Sequence, residues 1–222
     1  MTGTTIDLVA QDGHRFNAYK AVPEGRAKGA IVIGPEIFGV NKHIRAVTDG
    51  YAASGYVAIA PALFDRVERN YETGYEPDDI AAGRAVIGKL DWANTMKDVA
   101  ATIEHARPYG KIALVGYCWG GTIAWLANAR LPGLACTVAY YGGSIPAFID
   151  EAPKVPIMLH FGEKDASIPI EKAREVASRY PDAQAFFYPA GHGFNCDHRG
   201  SYDAAAAELA RGRTLEFLKA QL

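Results

Sequence analysis

Six compact apolar runs, set apart by helical stretches, constrain this chain more than any other feature. They are GAIVIGP from Gly29, GYVAIAP from Gly55, KIALVGY from Lys111, LACTVAYYG from Leu134, VPIMLHFG from Val155 and AQAFFYP from Ala183. None alternates polar with apolar residues. Strands read this way when helices cover both faces of a parallel sheet and leave no wet side. Ahead of them, TTIDLVA and HRFNAYKAV alternate and are joined by QDG, the pattern of a β-hairpin. Helical spacing is expected over 41–54, 79–89, 92–107, 119–131, 170–180 and 202–220, with Asn41 as the N-cap of the first. The last should present Leu209, Leu215 and Leu218 on an alanine-rich face. Only 62–78 reads as a long irregular loop, and such loops in α/β proteins often border a site. The expectation is a single α/β domain over 1–222, with a mostly parallel sheet, helices on both faces and an N-terminal hairpin.

In a parallel sheet, ligands gather at the carboxyl ends of the strands. Four chemically capable residues fall there. Glu36 follows AIVIGP, Cys118 follows IALVGY, Asp165 follows IMLHFGEK and His192 follows AFFYPAG. GYCWGG has the form of a nucleophile elbow, Gly-x-Ser-x-Gly, with Cys118 in place of serine. Cys118, Asp165 and His192 also occur in the nucleophile–acid–base order of an α/β-hydrolase triad. Gly116 and Gly120 would permit a tight strand-to-helix turn, and the following helix N-terminus would favour a thiolate. His192 would take the thiol proton, and Asp165 would orient the imidazole. The Trp119 backbone N–H supplies one oxyanion donor, and the loop after the strand at 29–34 supplies a second at Ile37.

The other classes of function find less support. Net charge is −2, with acidic and basic residues mixed, so no field draws nucleic acid or an anionic membrane. No apolar run approaches the ~18 residues of a membrane span, and MTGTTIDLVAQDG carries neither the basic nor the apolar part of a leader. Cys118, Cys136 and Cys196 are three, widely spaced, and so no disulfide framework. A cytoplasmic protein is expected. GHGFNCDHRG offers His192, Cys196 and His198 at spacings that zinc accepts, but a fourth ligand and a catalytic-zinc motif are lacking. No metal is expected.

With these residues in place, the sequence resembles the dienelactone hydrolases, or carboxymethylenebutenolidases. The resemblance runs from about residue 5 to the end. It rests on PEIFGVNKHIRAVTDGYAASGYVAIAPALFDR, GYCWGG, AYYG, GEKD and GHGF. It implies a monomeric α/β-hydrolase that opens carboxylate-bearing enol-lactones in chloroaromatic breakdown, with no metal or cofactor, through a Cys118–His192–Asp165 triad. It also implies a role for Glu36, since the family's glutamate in the PEIFG-type loop lies near the thiol and controls its reactivity. A carboxylate there accepts the S–H hydrogen bond and, as a like charge, opposes thiolate formation. Phe38 and Tyr141 match positions lining the family's pocket.

The chain departs from its relatives in the arginines that clamp the substrate carboxylate. Ile80 and Cys196 stand at those two positions, and Arg84 and Arg199 are the nearby substitutes. The expected activity is therefore cysteine-dependent hydrolysis of a small enol-lactone or activated ester. Two other readings share these residues: a broader acyl hydrolase of the same fold, and a catalytically silent relative that binds a small ligand or partner.

Overall fold

The computed structural model describes residues 3–222. Their contacts gather into two compact units, one ending at Ile112 and the other spanning Ala113–Leu222. Together they contain eight strands, mostly parallel, and six α-helices.

In the first unit, β1 (Thr4–Val9) and β2 (Arg15–Ala21) form the expected antiparallel hairpin, with Thr4 opposite Lys20 and Val9 opposite Arg15. β2 continues antiparallel onto β4 (Val57–Pro61), which runs parallel to β3 (Ala30–Gly34). Every residue of β3 and β4 is buried, as uninterrupted apolar runs require. α1 (Lys42–Ala53) starts at Asn41, whose side chain accepts the Ile44 N–H at 3.2 Å. α3 is Trp92–Ala106. A buried charge cluster ties it to the hairpin. Both Asp98 oxygens, fully buried, accept from Arg66 at 2.7 Å, and His14 Nδ1 lies 3.2 Å from Oδ1. Burial pushes the Asp98 carboxyl up, against the pull of Arg66 and His14.

The segment 62–78 is more ordered than its composition suggests. Leu63–Arg66 forms a 3-10 turn, and Gly39 bridges antiparallel to Glu72. α2 (Pro77–Ile87) begins two residues before the expected start. Proline is suited to the first helical turn, and Glu76 and Asp79 close a reciprocal capping box.

In the second unit, β5 (Ile112–Tyr117, whose first residue closes the first unit), β6 (Cys136–Tyr140), β7 (Ile157–Gly162) and β8 (Gln184–Tyr188) run parallel in that order. α4 (Trp119–Arg130) is buried along its length except at Arg130, so it has no polar face. Two differences from expectation concern the margins. β8 is only half-buried, and guanidinium groups cover its aromatic side chains: Arg213 lies 4.2 Å from the Phe186 ring centre and Arg174 5.6 Å from that of Phe187. α6 (Ala204–Gln221), following α5 (Ile170–Arg179), buries Ala206, Ala207, Ala210, Thr214, Phe217 and Leu218. Leu209 is instead half exposed, because the alanine stripe turns the buried face away from it.

β7 carries one polar residue within its core run. His160 is wholly buried, with Nδ1 2.8 Å from Tyr188 Oη and Nε2 3.0 Å from Thr214 Oγ1. Arg213 donates to Tyr188 Oη at 3.1 Å, and Thr214 Oγ1 lies 2.7 Å from Tyr140 Oη. Every link has a partner, so the buried polar atoms carry little desolvation penalty.

Candidate active site

The three residues at the strand ends of the second unit meet. β5 ends at Tyr117, and Cys118 turns directly into α4 with φ 54° and ψ −114°, a left-handed backbone rare for a non-glycine residue. Its N–H donates to Tyr140 O at 3.0 Å, anchoring the turn to β6. Such a turn leaves little room on either side. A Cβ on Gly116 would stand 1.8 Å from the Gly120 carbonyl oxygen, and one on Gly121 would stand 2.6 Å from that of Tyr140. Gly121 is a third glycine that the elbow needs. The doubled glycine of GYCWGG was its visible sign. Gly116→Ala should destabilise the protein by about 3 kcal/mol, since only backbone movement relieves that clash. A urea midpoint equal to that of the wild type would contradict this packing.

His192 Nε2 lies 3.1 Å from Cys118 Sγ, and Nδ1 lies 2.8 Å from Asp165 Oδ2. Asp165 follows β7, and its other oxygen accepts the N–H groups of Ser167 at 2.7 Å and Ile168 at 3.1 Å. This Asx turn fixes the carboxylate before the imidazole meets it. His192 follows β8, and Ser201 Oγ donates to its carbonyl at 2.6 Å. The sequence pointed to neither Ser167 nor Ser201, since a serine in a loop has no distinctive signal. Tyr141, with φ 38°, is buried and sets its ring edge against the imidazole, 5.1 Å between centres. Phe194 packs against Tyr141 in turn.

Electrostatics favour a charged imidazole here. Burial opposes the imidazolium, but the Cys118 sulfur across from it and the Asp165 carboxylate outweigh that cost, pushing His192 up to about 10. The arrangement can therefore hold the imidazole in its charged form beside the Cys118 sulfur. Both ring nitrogens of His192 are engaged, so in this geometry it has no lone pair for a metal. Cys196 is buried and His198 exposed.

In the first unit, the loop after β3 carries Glu36, Ile37 and Phe38, all buried. A Cβ on Gly83 would meet the Ile37 carbonyl oxygen at 2.5 Å, so α2 packs directly on this loop. Arg84, the next residue of α2, is exposed. Phe38 meets the ring of Tyr75 edge-on at 4.5 Å. Arg199, in the second unit, is half-buried, with Nη1 2.4 Å from where a side chain on Gly193 would begin. It thus lies against the residue after His192.

The dienelactone hydrolase family model matches residues 16–222. The chain belongs to the dienelactone hydrolase family. Its relatives agree over most of their length. A carboxymethylenebutenolidase of Pseudomonas putida is 34% identical, covering 96% of this chain and 94% of its own. A Synechocystis sp. protein assigned as a carboxymethylenebutenolidase is 35% identical over 99% of this chain and 97% of its own. A crystal structure from Klebsiella pneumoniae, assigned as a dienelactone hydrolase, has a TM-score of 0.84 and 29% identity, covering 100% of both chains. This dienelactone hydrolase family member is thus a carboxymethylenebutenolidase-like hydrolase with the family's α/β fold. No helix among its described residues is long and apolar enough to cross a membrane.

Proposed function

We propose that this chain opens enol-lactones and similarly activated esters through an acyl-thioenzyme on Cys118. The observation that carries the reading is the unbroken path from Cys118 Sγ through His192 to Asp165, with each contact within hydrogen-bond reach. The thiolate attacks the carbonyl carbon. The tetrahedral oxyanion is held by the backbone N–H groups of Trp119 and Ile37, then collapses and expels the enolate. His192 returns its proton to the leaving group and next takes a proton from water, which hydrolyses the thioester and frees the sulfur. An enolate departs with little protonation, whereas an alkoxide does not, so enol-lactones and aryl esters are favoured over alkyl esters.

In this reading residues 1–222 act as one catalytic domain, monomeric, cytoplasmic and without a cofactor. Glu36 sets the reactivity of the thiol, as in the family. Phe38 and Tyr141 line the pocket, and Arg84 and Arg199 are the cations available to a substrate carboxylate. Ile80 and Cys196, standing where relatives carry arginine, favour a wider acyl range than carboxylate-bearing lactones alone.

Rapid quenching with an aryl ester, followed by peptide mass spectrometry, should find the acyl group on the peptide containing Cys118. A panel of enol-lactones, aryl esters and alkyl esters, with and without a carboxylate, should rank by leaving group. Fast turnover of alkyl esters with no adduct on Cys118 would reject the mechanism.

A further inference from the structure

We propose that Tyr75 is a positioning residue for Glu36, donating its phenolic proton to the buried carboxylate. The inference rests on the role given to Glu36 above. Tyr75 Oη lies 3.3 Å from Glu36 Oε2 and 3.5 Å from Asn41 Oδ1. Of these two acceptors, the carboxylate receives the proton, and the reason lies in α1. As its N-cap, Asn41 must turn Oδ1 toward the Ile44 N–H, which fixes the orientation of the amide. Its Nδ2 therefore faces outward and donates to Tyr75 Oη at 3.0 Å, and to Thr73 O at 3.3 Å. The phenol oxygen already accepts from Asn41 Nδ2, and of the two acceptors Glu36 Oε2 is the nearer. Asn41 Oδ1 is at the limit of hydrogen-bond reach and already accepts the Ile44 N–H, so the phenolic hydrogen is directed to Glu36. Donation runs one way, from the Asn41 amide through Tyr75 to Glu36, and each bond polarises the next.

The backbone holds this relay in register. Thr73 N–H donates to Phe38 O at 3.2 Å, Gly39 bridges Glu72, and Arg45 joins the Glu72 carboxylate to the Val40 carbonyl. The Tyr75 ring rests edge-on against Phe38 and, at 6.4 Å, against His43. Residues 72–75 thus form a strap along 38–41, and its end delivers a hydrogen-bond donor to the carboxylate.

Tyr75→Phe keeps the ring and removes only the hydroxyl, so it tests the donor separately from the packing. Its melting temperature should stay close to that of the wild type, while kcat on an enol-lactone falls about 10-fold, the scale of one hydrogen bond to a charged group. Introduced into Glu36→Gln, the same change should have no further effect, because the carboxylate it serves is gone. An equal loss in both backgrounds would overturn the inference. Infrared difference spectra of 13C-glutamate-labelled protein, with Glu36→Gln as the reference, isolate the Glu36 carboxylate stretch. That band should move in Tyr75→Phe, and an unmoved band would also overturn the inference. If Glu36→Gln alone turns over normally, the role given to Glu36 fails, and the infrared band by itself then decides whether Tyr75 holds that carboxylate.

Discussion

Cys118→Ala is expected to lower kcat/KM for an activated ester by on the order of 10^4-fold or more, the loss seen when a covalent nucleophile is removed from an assembled triad. The fold should survive. The alanine keeps the Cβ already present at φ 54°, and the elbow's constraints are backbone contacts made by Gly116, Gly121 and the Tyr140 carbonyl. Residual turnover would come from the oxyanion donors and substrate binding alone. Cys136 and Cys196 are the controls. Both are fully buried, so Cys136→Ala should leave kcat unchanged, and a thiol-selective electrophile should label Cys118 first. His192→Ala should slow that labelling at pH 7, because the sulfur loses the imidazole that sits 3.1 Å away to take its proton. A Cys118→Ala protein that still hydrolysed the ester at near wild-type rates would place the nucleophile elsewhere.

The second large effect is on stability in acid. Burial drives His160 down to about 3, with the Arg213 guanidinium adding to the shift. Its geometry agrees. Arg213 donates to Tyr188, so the Tyr188 proton points at His160 Nδ1, and the ring stays neutral with Nε2–H directed at Thr214. In the unfolded chain this histidine titrates near 6.5, so below that pH the unfolded state binds a proton that the folded state refuses. Stability therefore falls as pH drops from 6.5 toward 3, by about 3 kcal/mol at pH 4 from this group alone. His160→Gln will be less stable than the wild type at pH 7, having lost part of the network. Its stability should nevertheless decline less between pH 7 and pH 4, by about that same amount. Urea denaturation at the two pH values measures the difference. Equal declines in both proteins would mean that His160 is not held neutral.

Much of this was readable in the chain because each signal was local. The buried strands appear as apolar runs, Asn41 stands where an N-cap belongs, and Cys118, Asp165 and His192, which the structure brings within hydrogen-bond reach, follow separate strands. The failures have physical causes too. α2 was placed two residues late because the reading followed apolar periodicity and overlooked the Pro77 start and the Glu76–Asp79 capping box. The alanine-rich face of α6 was expected to carry Leu209, Leu215 and Leu218; Leu218 is buried there with the alanines, whereas Leu209 points half into solvent. His160 went unremarked inside VPIMLHFG, since its meaning depends on Tyr188, Thr214 and Arg213, which lie 28 or more residues away in sequence. Tyr75 lay in a segment read as irregular. Its role appears only when 72–75 pairs with 38–41, and no periodicity announces a single bridge.

That pairing bears on how such a protein can be rebuilt. Residues 36–41 and 71–75 are distant in sequence but share one set of hydrogen bonds, so they form a single transplantable cassette. A chimera that keeps the native loop carrying Glu36 but replaces 71–75 with a segment lacking Tyr75 would retain the glutamate without the donor that orients it. Recombination breakpoints between residues 41 and 71 therefore carry a hidden cost, and libraries that move both pieces together should yield more active members.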